Sequence, residues 1–315
     1  MICTLFLLIS CSNDTSEVIS PTDTSIQTPI IFSHNDQEFQ IISYYQEILD
    51  YVNDAKKQPE NLEEIYKKSV AEPFRIKAYG ENDGFWIYNH WTFIPPTNIS
   101  KLEESVQSLI ANQIEINKLI EESLKKSADK LPGGNKTVYL FPANPDLSYS
   151  LKQMKGVTGA VMAKDDVILI QIDPSYFDAT ILKFTIAHEY HHAVYMEENV
   201  ISGTNTLLDT VILGGKADTF AKIIYPDIKA PWSEPLSEIL ENVTRKILMD
   251  NLSSIDPKIK DDFHNGNPSR GIPQWANYKI GNKIMELFIN LNPDVSIEVW
   301  TQTPADEILF KSNYE

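Results

Sequence analysis

The stretch Ile181 to Val194, ILKFTIAHEYHHAV, constrains the fold more than any other part of the chain. His188 and His192 are four positions apart, so on a helix of about 3.6 residues per turn they stand one above the other on a single face. Both imidazoles then reach one metal ion. Glu189 follows the first histidine directly, which turns its carboxylate aside from the ligand pair and leaves it free to hold a water bound to that metal. The pattern is H-E-x-x-H, and it predicts Zn²⁺ as cofactor, His188 and His192 as ligands and Glu189 as general base. The plainer reading is a polar helix face that happens to carry histidines. Against it, Ile181, Phe184, Ile186 and Ala187 make the first turns apolar, so the helix is expected to be buried at its start with the histidines facing inward. His191 points about 100° away from His192 and reads as a surface or supporting histidine rather than a ligand.

The remaining composition narrows the setting. At 315 residues the chain can form one large domain or two modest ones. Its 27 basic against 44 acidic residues give a net charge of −17, which argues against nucleic acid as a partner. The opening run MICTLFLLIS is apolar but shorter than the roughly 20 residues a membrane-spanning helix needs. It ends in Leu8-Ile9-Ser10-Cys11, which looks like the lipobox of bacterial lipoproteins, where the signal is cut before an acylated cysteine. No Lys or Arg precedes the run, a departure from the usual basic start, and a plain secretory signal is the alternative. The expected plan is therefore a signal over 1–10 and a lipid anchor at Cys11. A flexible tether over 11–36 rich in Ser, Thr, Asp, Asn and Pro follows, and the protein sits in the cell envelope on the extracytoplasmic side of a membrane. Cys3 and Cys11 are the only cysteines, so a Cys-ligated zinc is excluded in the mature domain.

Residues 37–132 read as a helical region. Ile41, Tyr45, Ile48, Leu49 and Val52 recur at helical spacing from Phe39 onward, and a second helical stretch covers Leu62 to Val70. Tyr79 to Ile94, rich in aromatics, reads as a hairpin or an aromatic surface, with core packing the plainer role. Ser100 and Glu103 form an S-x-x-E capping box that opens a helix running to about Lys130. Pro132-Gly133-Gly134 then turns the chain.

Residues 133–315 carry the candidate site. Thr137 to Phe141 reads as a strand, and Gly159 to Met162 with Val167 to Ile172 as a hairpin. In metallopeptidases of the H-E-x-x-H kind an edge strand lies above the metal and pairs with an extended peptide, a role that falls here on Gly159 to Met162. Asn205 to Ala221 is a second helical candidate, Ser233-Glu234-Pro235 starts a third, Asp256 to Pro273 reads as a loop, and Trp275 to Phe288 suggests a fourth. The tail PADEILFKS adds a short last helix.

A catalytic zinc usually takes three protein ligands. The blocks TIAHEYHHAVYM, LLDTVILGGKADTFA and IPQWANYKIGNKI together resemble the DUF2268 group of predicted zinc-dependent proteases, relatives of the gluzincins, from about Lys136 to the C-terminus. The resemblance implies an α+β, mostly helical, zincin-like fold with a small sheet beside the H-E-x-x-H helix. It also implies hydrolysis of peptide bonds in a peptide or protein substrate. It places the third ligand on a second helix, in E-x-x-x-D, with the aspartate steadying a ligand histidine. Asp218 matches that aspartate, but Gly214 stands at the ligand position and is followed by Gly215. Two glycines inside a helix cost about 1 kcal/mol each relative to alanine. Asp218 moving inward, or Glu198, Glu234, Glu238 or His264, could substitute, though no spacing singles one out. Tyr278, in the third block, is the candidate donor to a tetrahedral oxyanion, with Arg270 behind it. The two resulting expectations are a membrane-anchored zinc metallopeptidase impaired at Gly214, or an inactive binding lipoprotein on the same scaffold.

Overall fold

The computed structural model describes residues 25–314 apart from 163, 165 and 200–203. The signal, the Cys11 anchor and most of the tether lie outside the described residues. The fold is α+β: thirteen described helices surround one mixed five-stranded sheet. The strands are β1 (Ile30–His34), β2 (Gln37–Ser43), β3 (Lys136–Pro142), β4 (Val157–Val161) and β5 (Val167–Ile172), in spatial order β1-β2-β3-β5-β4. β2, β3 and β5 run parallel to one another, while edge strands β1 and β4 pair antiparallel to β2 and β5. Central β5, VILIQI, is buried on both faces, as a continuous apolar run without alternation predicts.

Before the sheet's third strand come α1 (Tyr45–Lys57), α2 (Leu62–Tyr66) and α3 (Glu72–Tyr79), then α4 (Ile99–Ala111) and α5 (Gln113–Lys130). The second half contains α6 (Ser148–Gln153), α7 (Ala179–Met196), α8 (Leu207–Ile224), α9 (Glu238–Met249), α10 (Pro257–Asn265), α11 (Ala276–Leu291), α12 (Ile297–Gln302) and α13 (Ala305–Ser312). No described helix is long and apolar enough to cross a membrane.

Several expectations are corrected. Residues 30–34, expected within the tether, form edge strand β1, and Phe39 and Ile41 lie on β2 rather than a helix. Both strands alternate exposure along their length, a period-2 pattern that the coincidental helical spacing of Ile41 and Tyr45 obscured. The aromatic stretch is no hairpin: Phe85–Asn89 and Trp91–Phe93 are 3₁₀ turns, with Ile87 and Phe93 buried and Phe85, Trp86 and Trp91 exposed. The Ser100 capping box does not form, because the Asn98 side chain accepts from the Lys101 amide and starts α4 two residues earlier. The single helix expected to Lys130 is two, broken at Asn112. The Asp256–Pro273 loop contains α10, capped by Asp256 with Pro257 in its first turn. α9 begins at Glu238 on a Ser237 cap rather than at Ser233.

α7 lies against β4 and β5 on one side and α5 and α8 on the other. Its start is set by Asp178, whose side chain accepts from the Thr180 and Ile181 amides, and α8 opens with a Thr206–Asp209 capping box. The glycine pair in α8 now has a packing reason. An ideal Cβ on Gly215 would lie 2.3 Å from the Gly281 carbonyl carbon, and one on Gly281 would lie 2.2 Å from the Val211 carbonyl oxygen. α8 and α11 therefore meet backbone to backbone, which no larger side chain permits. This contact brings Tyr278 of α11 beside His188 and Asn282 onto Asp218.

Candidate active site

His188 and His192 project from α7 as the four-residue spacing requires, and their Nε2 atoms lie 3.0 Å apart. The rings are nearly perpendicular, with centroids 4.7 Å apart. Asp218 of α8 fixes the first ring: its Oδ1 lies 2.7 Å from His188 Nδ1. That contact puts the proton of a neutral ring on Nδ1 and leaves the Nε2 lone pair facing His192. Asp218 is wholly buried, and both of its oxygens are engaged. Trp232 Nε1 donates to Oδ1 at 3.0 Å, while Ser233 Oγ and Asn282 Nδ2 donate to Oδ2 at 2.5 and 2.9 Å. Burial alone would raise its pKa, but the His188 contact and the Ser233 and Asn282 hydrogen bonds hold it below the usual carboxylate range. Burial lowers the His188 pKa, and the Asp218 contact reverses this to a net rise. Among the described residues His192 has no such partner: its Nδ1 is buried without a hydrogen bond, and burial with the neighbouring His188 pushes its pKa well down.

Glu189 is 6 % exposed, and burial pushes its carboxyl up to about 7, with Asp218 adding to the rise and His188 and the Val161 amide opposing it. It lies on the wall of a cleft of about 550 Å³ formed between β4, α7, α10 and α11. Thr158, Gly159, His188, Tyr278, His264 and Trp91 share that wall. The Tyr278 ring sits 5.8 Å from His188 and 5.9 Å from His264, centroid to centroid. Burial, then Glu189 and Asp218, raise the pKa of its phenol, so it is a protonated donor at neutral pH. A larger cavity of about 750 Å³ lies along α8 near α12 and α13 but reaches neither His188 nor Glu189. Its ammonium, Lys216, donates to the Thr301 and Thr303 carbonyls at 2.8 and 2.7 Å and so caps the end of α12.

The donor set fits a zinc ion at two corners. Two nitrogens about 2.0–2.1 Å from one tetrahedral Zn²⁺ sit roughly 3.3 Å apart, close to the observed separation. At the third corner the residues do not fit. Among the described residues no three His, Cys, Asp or Glu side chains converge. Gly214 offers no donor, and an ideal Cβ there would meet the Tyr278 ring at 3.1 Å, so the phenol ring fills the space where a ligand side chain would begin. Asp218 does not swing inward, because all its bonds face His188, Trp232, Ser233 and Asn282. Glu198, Glu234 and Glu238 are exposed and do not line the cleft. Arg270 bonds Asp262 at 2.7 Å and does not line it either. His264 does line it, with its ring beside that of Tyr278, but it forms no three-donor group with His188 and His192 among the described residues. His191 is fully buried rather than superficial, stacked on Trp300 with its Nε2 3.2 Å from Thr301 Oγ1.

A family model described as DUF2268, predicted Zn-dependent protease, matches residues 116–310, more than half of the chain. The chain belongs to this family. Comparison with curated proteins and with solved structures gives no match. The DUF2268 match runs from within α5 into α13 and contains His188, Glu189, His192, Asp218 and Tyr278, while Trp91 of the cleft wall lies before it. Trp232, Ser233, Asn282 and Gly159 have no local pattern that marks them, since each acts through a contact across the fold. The Gly215–Gly281 crossing had one available signal, a glycine within each of two helical stretches of matching apolar period.

Proposed function

We propose that this chain is a zincin-like, zinc-dependent peptidase whose metal site is weakened at Gly214, held outside a membrane by a lipid on Cys11. The observation that carries the reading is the approach of the His188 and His192 Nε2 atoms to 3.0 Å, with His188 and the buried Glu189 carboxylate lining one cleft. Zinc held by His188 and His192 would supply Lewis-acid polarisation of a peptide carbonyl and acidify water. Glu189 has its pKa near neutrality, where a group both accepts a proton from water and returns it to a leaving amine. Asp218 keeps His188 in the tautomer whose Nε2 is free. Tyr278 presents a protonated phenol in the same cleft, suited to an oxyanion.

β4 is the free edge of the sheet beside this cleft, so an extended peptide is the substrate form the surface suits. The lipobox-like Leu8 to Cys11 supports the envelope location. A second reading, a binding lipoprotein without activity, is favoured by one observation, the missing third donor. Zinc content and peptidase activity of the full chain, wild type against Glu189→Gln, distinguish the two. The peptidase reading expects bound zinc in both and activity in the wild type alone. Equal activity in both, or none in either, overturns it.

A further inference from the structure

Among the described residues two lysines are buried, and only one of them has a counter-charge. Lys136, at the start of β3, pairs with the Glu197 carboxylate. Lys216 of α8, 3 % exposed, forms no ion pair among the described residues: its ammonium donates to the Thr301 and Thr303 carbonyls, and its third proton has no acceptor there. Neutral carbonyls do not cancel a positive charge that has been taken out of water. Burial accordingly pulls the pKa of this ammonium down to about 8, against the opposing pull of Asp209. Asp209 lies about two turns earlier on α8, and its Oδ2 is spent on the Thr206 amide and hydroxyl.

The unmatched charge stands on the wall of the 750 Å³ cavity along α8, a size usual for small-molecule sites. Lys216 is the only cation among the lining residues. Ile212, Leu213, Met249, Leu252 and Leu309 give the rest of the wall an apolar character, and Phe310, which also lines it, is largely exposed, so the apolar surface reaches solvent. The second carboxylate on the wall, Asp306, is exposed and accepts from the Glu307 amide. One ammonium near two carboxylates favours a singly charged anion over a dianion such as phosphate.

We propose that this cavity is a second binding site, for a small carboxylic acid with an apolar tail, whose carboxylate supplies the counter-charge to Lys216 while the tail lies against the aliphatic wall. A carboxylate oxygen accepts the third ammonium proton, a charge-assisted bond strengthened by burial. The site shares no lining residue with the histidine cleft and does not depend on zinc or on peptidase activity.

Calorimetric titration of the full chain with octanoate, octan-1-ol and acetate tests the proposal. Octanoate should bind at one site with a dissociation constant below about 0.1 mM, at least about tenfold tighter than the alcohol, which lacks the charge, or acetate, which lacks the tail. Lys216→Met, which keeps an unbranched stem, should weaken octanoate at least about tenfold and leave octan-1-ol within about twofold. Leu309→Trp fills the cavity from α13 with Lys216 in place and should weaken both ligands at least about tenfold, which keeps the test decisive if the Lys216→Met chain does not fold. No octanoate bound by the wild type, octan-1-ol bound as tightly as octanoate, or wild-type octanoate affinity in either folded variant overturns the proposal.

Discussion

The two histidines of the site stand in opposite circumstances. His188 has its Nδ1 on a carboxylate that three further donors hold in place, whereas His192 has a buried Nδ1 with no partner among the described residues. The same helix α8 supplies both conditions, Asp218 on one turn and Gly214 on the turn before. Burying a carboxylate contributes little net stability even when fully paired, so the completeness of the Asp218 shell points to orientation of His188 rather than to strength of fold. The contrast teaches that one neighbouring helix can fix one imidazole of a facing pair and leave the other without a partner among the described residues.

Removing the intact half should have the largest effect. Asp218→Ala leaves Trp232 Nε1, Ser233 Oγ, Asn282 Nδ2 and His188 Nδ1 without their shared acceptor, and chemical denaturation should show a loss of about 3–5 kcal/mol. A loss under about 1 kcal/mol would show that the two halves do not differ in the way described.

Glu189 gives the next effect, visible in pH dependence with a chelator present. Its carboxyl titrates at 4.5 in the unfolded reference and at about 7 when folded, because burial disfavours the charge. Between those values the folded chain binds more protons than the unfolded one, so stability falls as pH rises from about 4.5 to 7, by about 3 kcal/mol in all, and the loss is complete above 7. Glu189→Gln, which removes the titrating group at nearly the same volume, should flatten that slope. An unchanged slope would place the titration elsewhere.

The glycines sharpen the comparison further. Gly281→Ala drives a methyl to 2.2 Å from the Val211 carbonyl oxygen and should cost about 1–3 kcal/mol or more. Gly214→Ala meets only the Tyr278 ring at 3.1 Å, and the helix-propensity gain of up to about 1 kcal/mol offsets the shift of the ring, so its net effect should lie within about 1 kcal/mol of zero. Equal costs at the two sites would remove the distinction between a glycine the fold requires and one the ligand position merely contains.

The parts of this architecture readable from sequence are those with local causes. The α7 helix, its buried start and the facing histidines follow from a four-residue spacing and an apolar first turn. The β4–β5 hairpin follows from two β-rich runs, and the Gly214 gap from the position of Asp218. What stayed hidden acts at a distance. β1 and β2 read as tether and helix because their strand character depends on pairing with each other and with β3, a partner nearly 100 residues away in the register Ile41 to Val138. α10 was masked by a polar sequence whose buried face is only Ile259, Asp262 and Phe263. Asn98 takes the cap two residues before Ser100, a choice between two good capping residues that propensity does not rank.

Zinc titration of the full chain by calorimetry, comparing wild type, His192→Ala and Gly214→Glu, tests the central claim most directly. The account predicts one weakly held zinc in the wild type, at least about tenfold weaker binding in His192→Ala, and at least about tenfold tighter binding in Gly214→Glu once the Tyr278 ring has given way. Zinc binding indifferent to His192, or no zinc bound by the wild type at all, would contradict it.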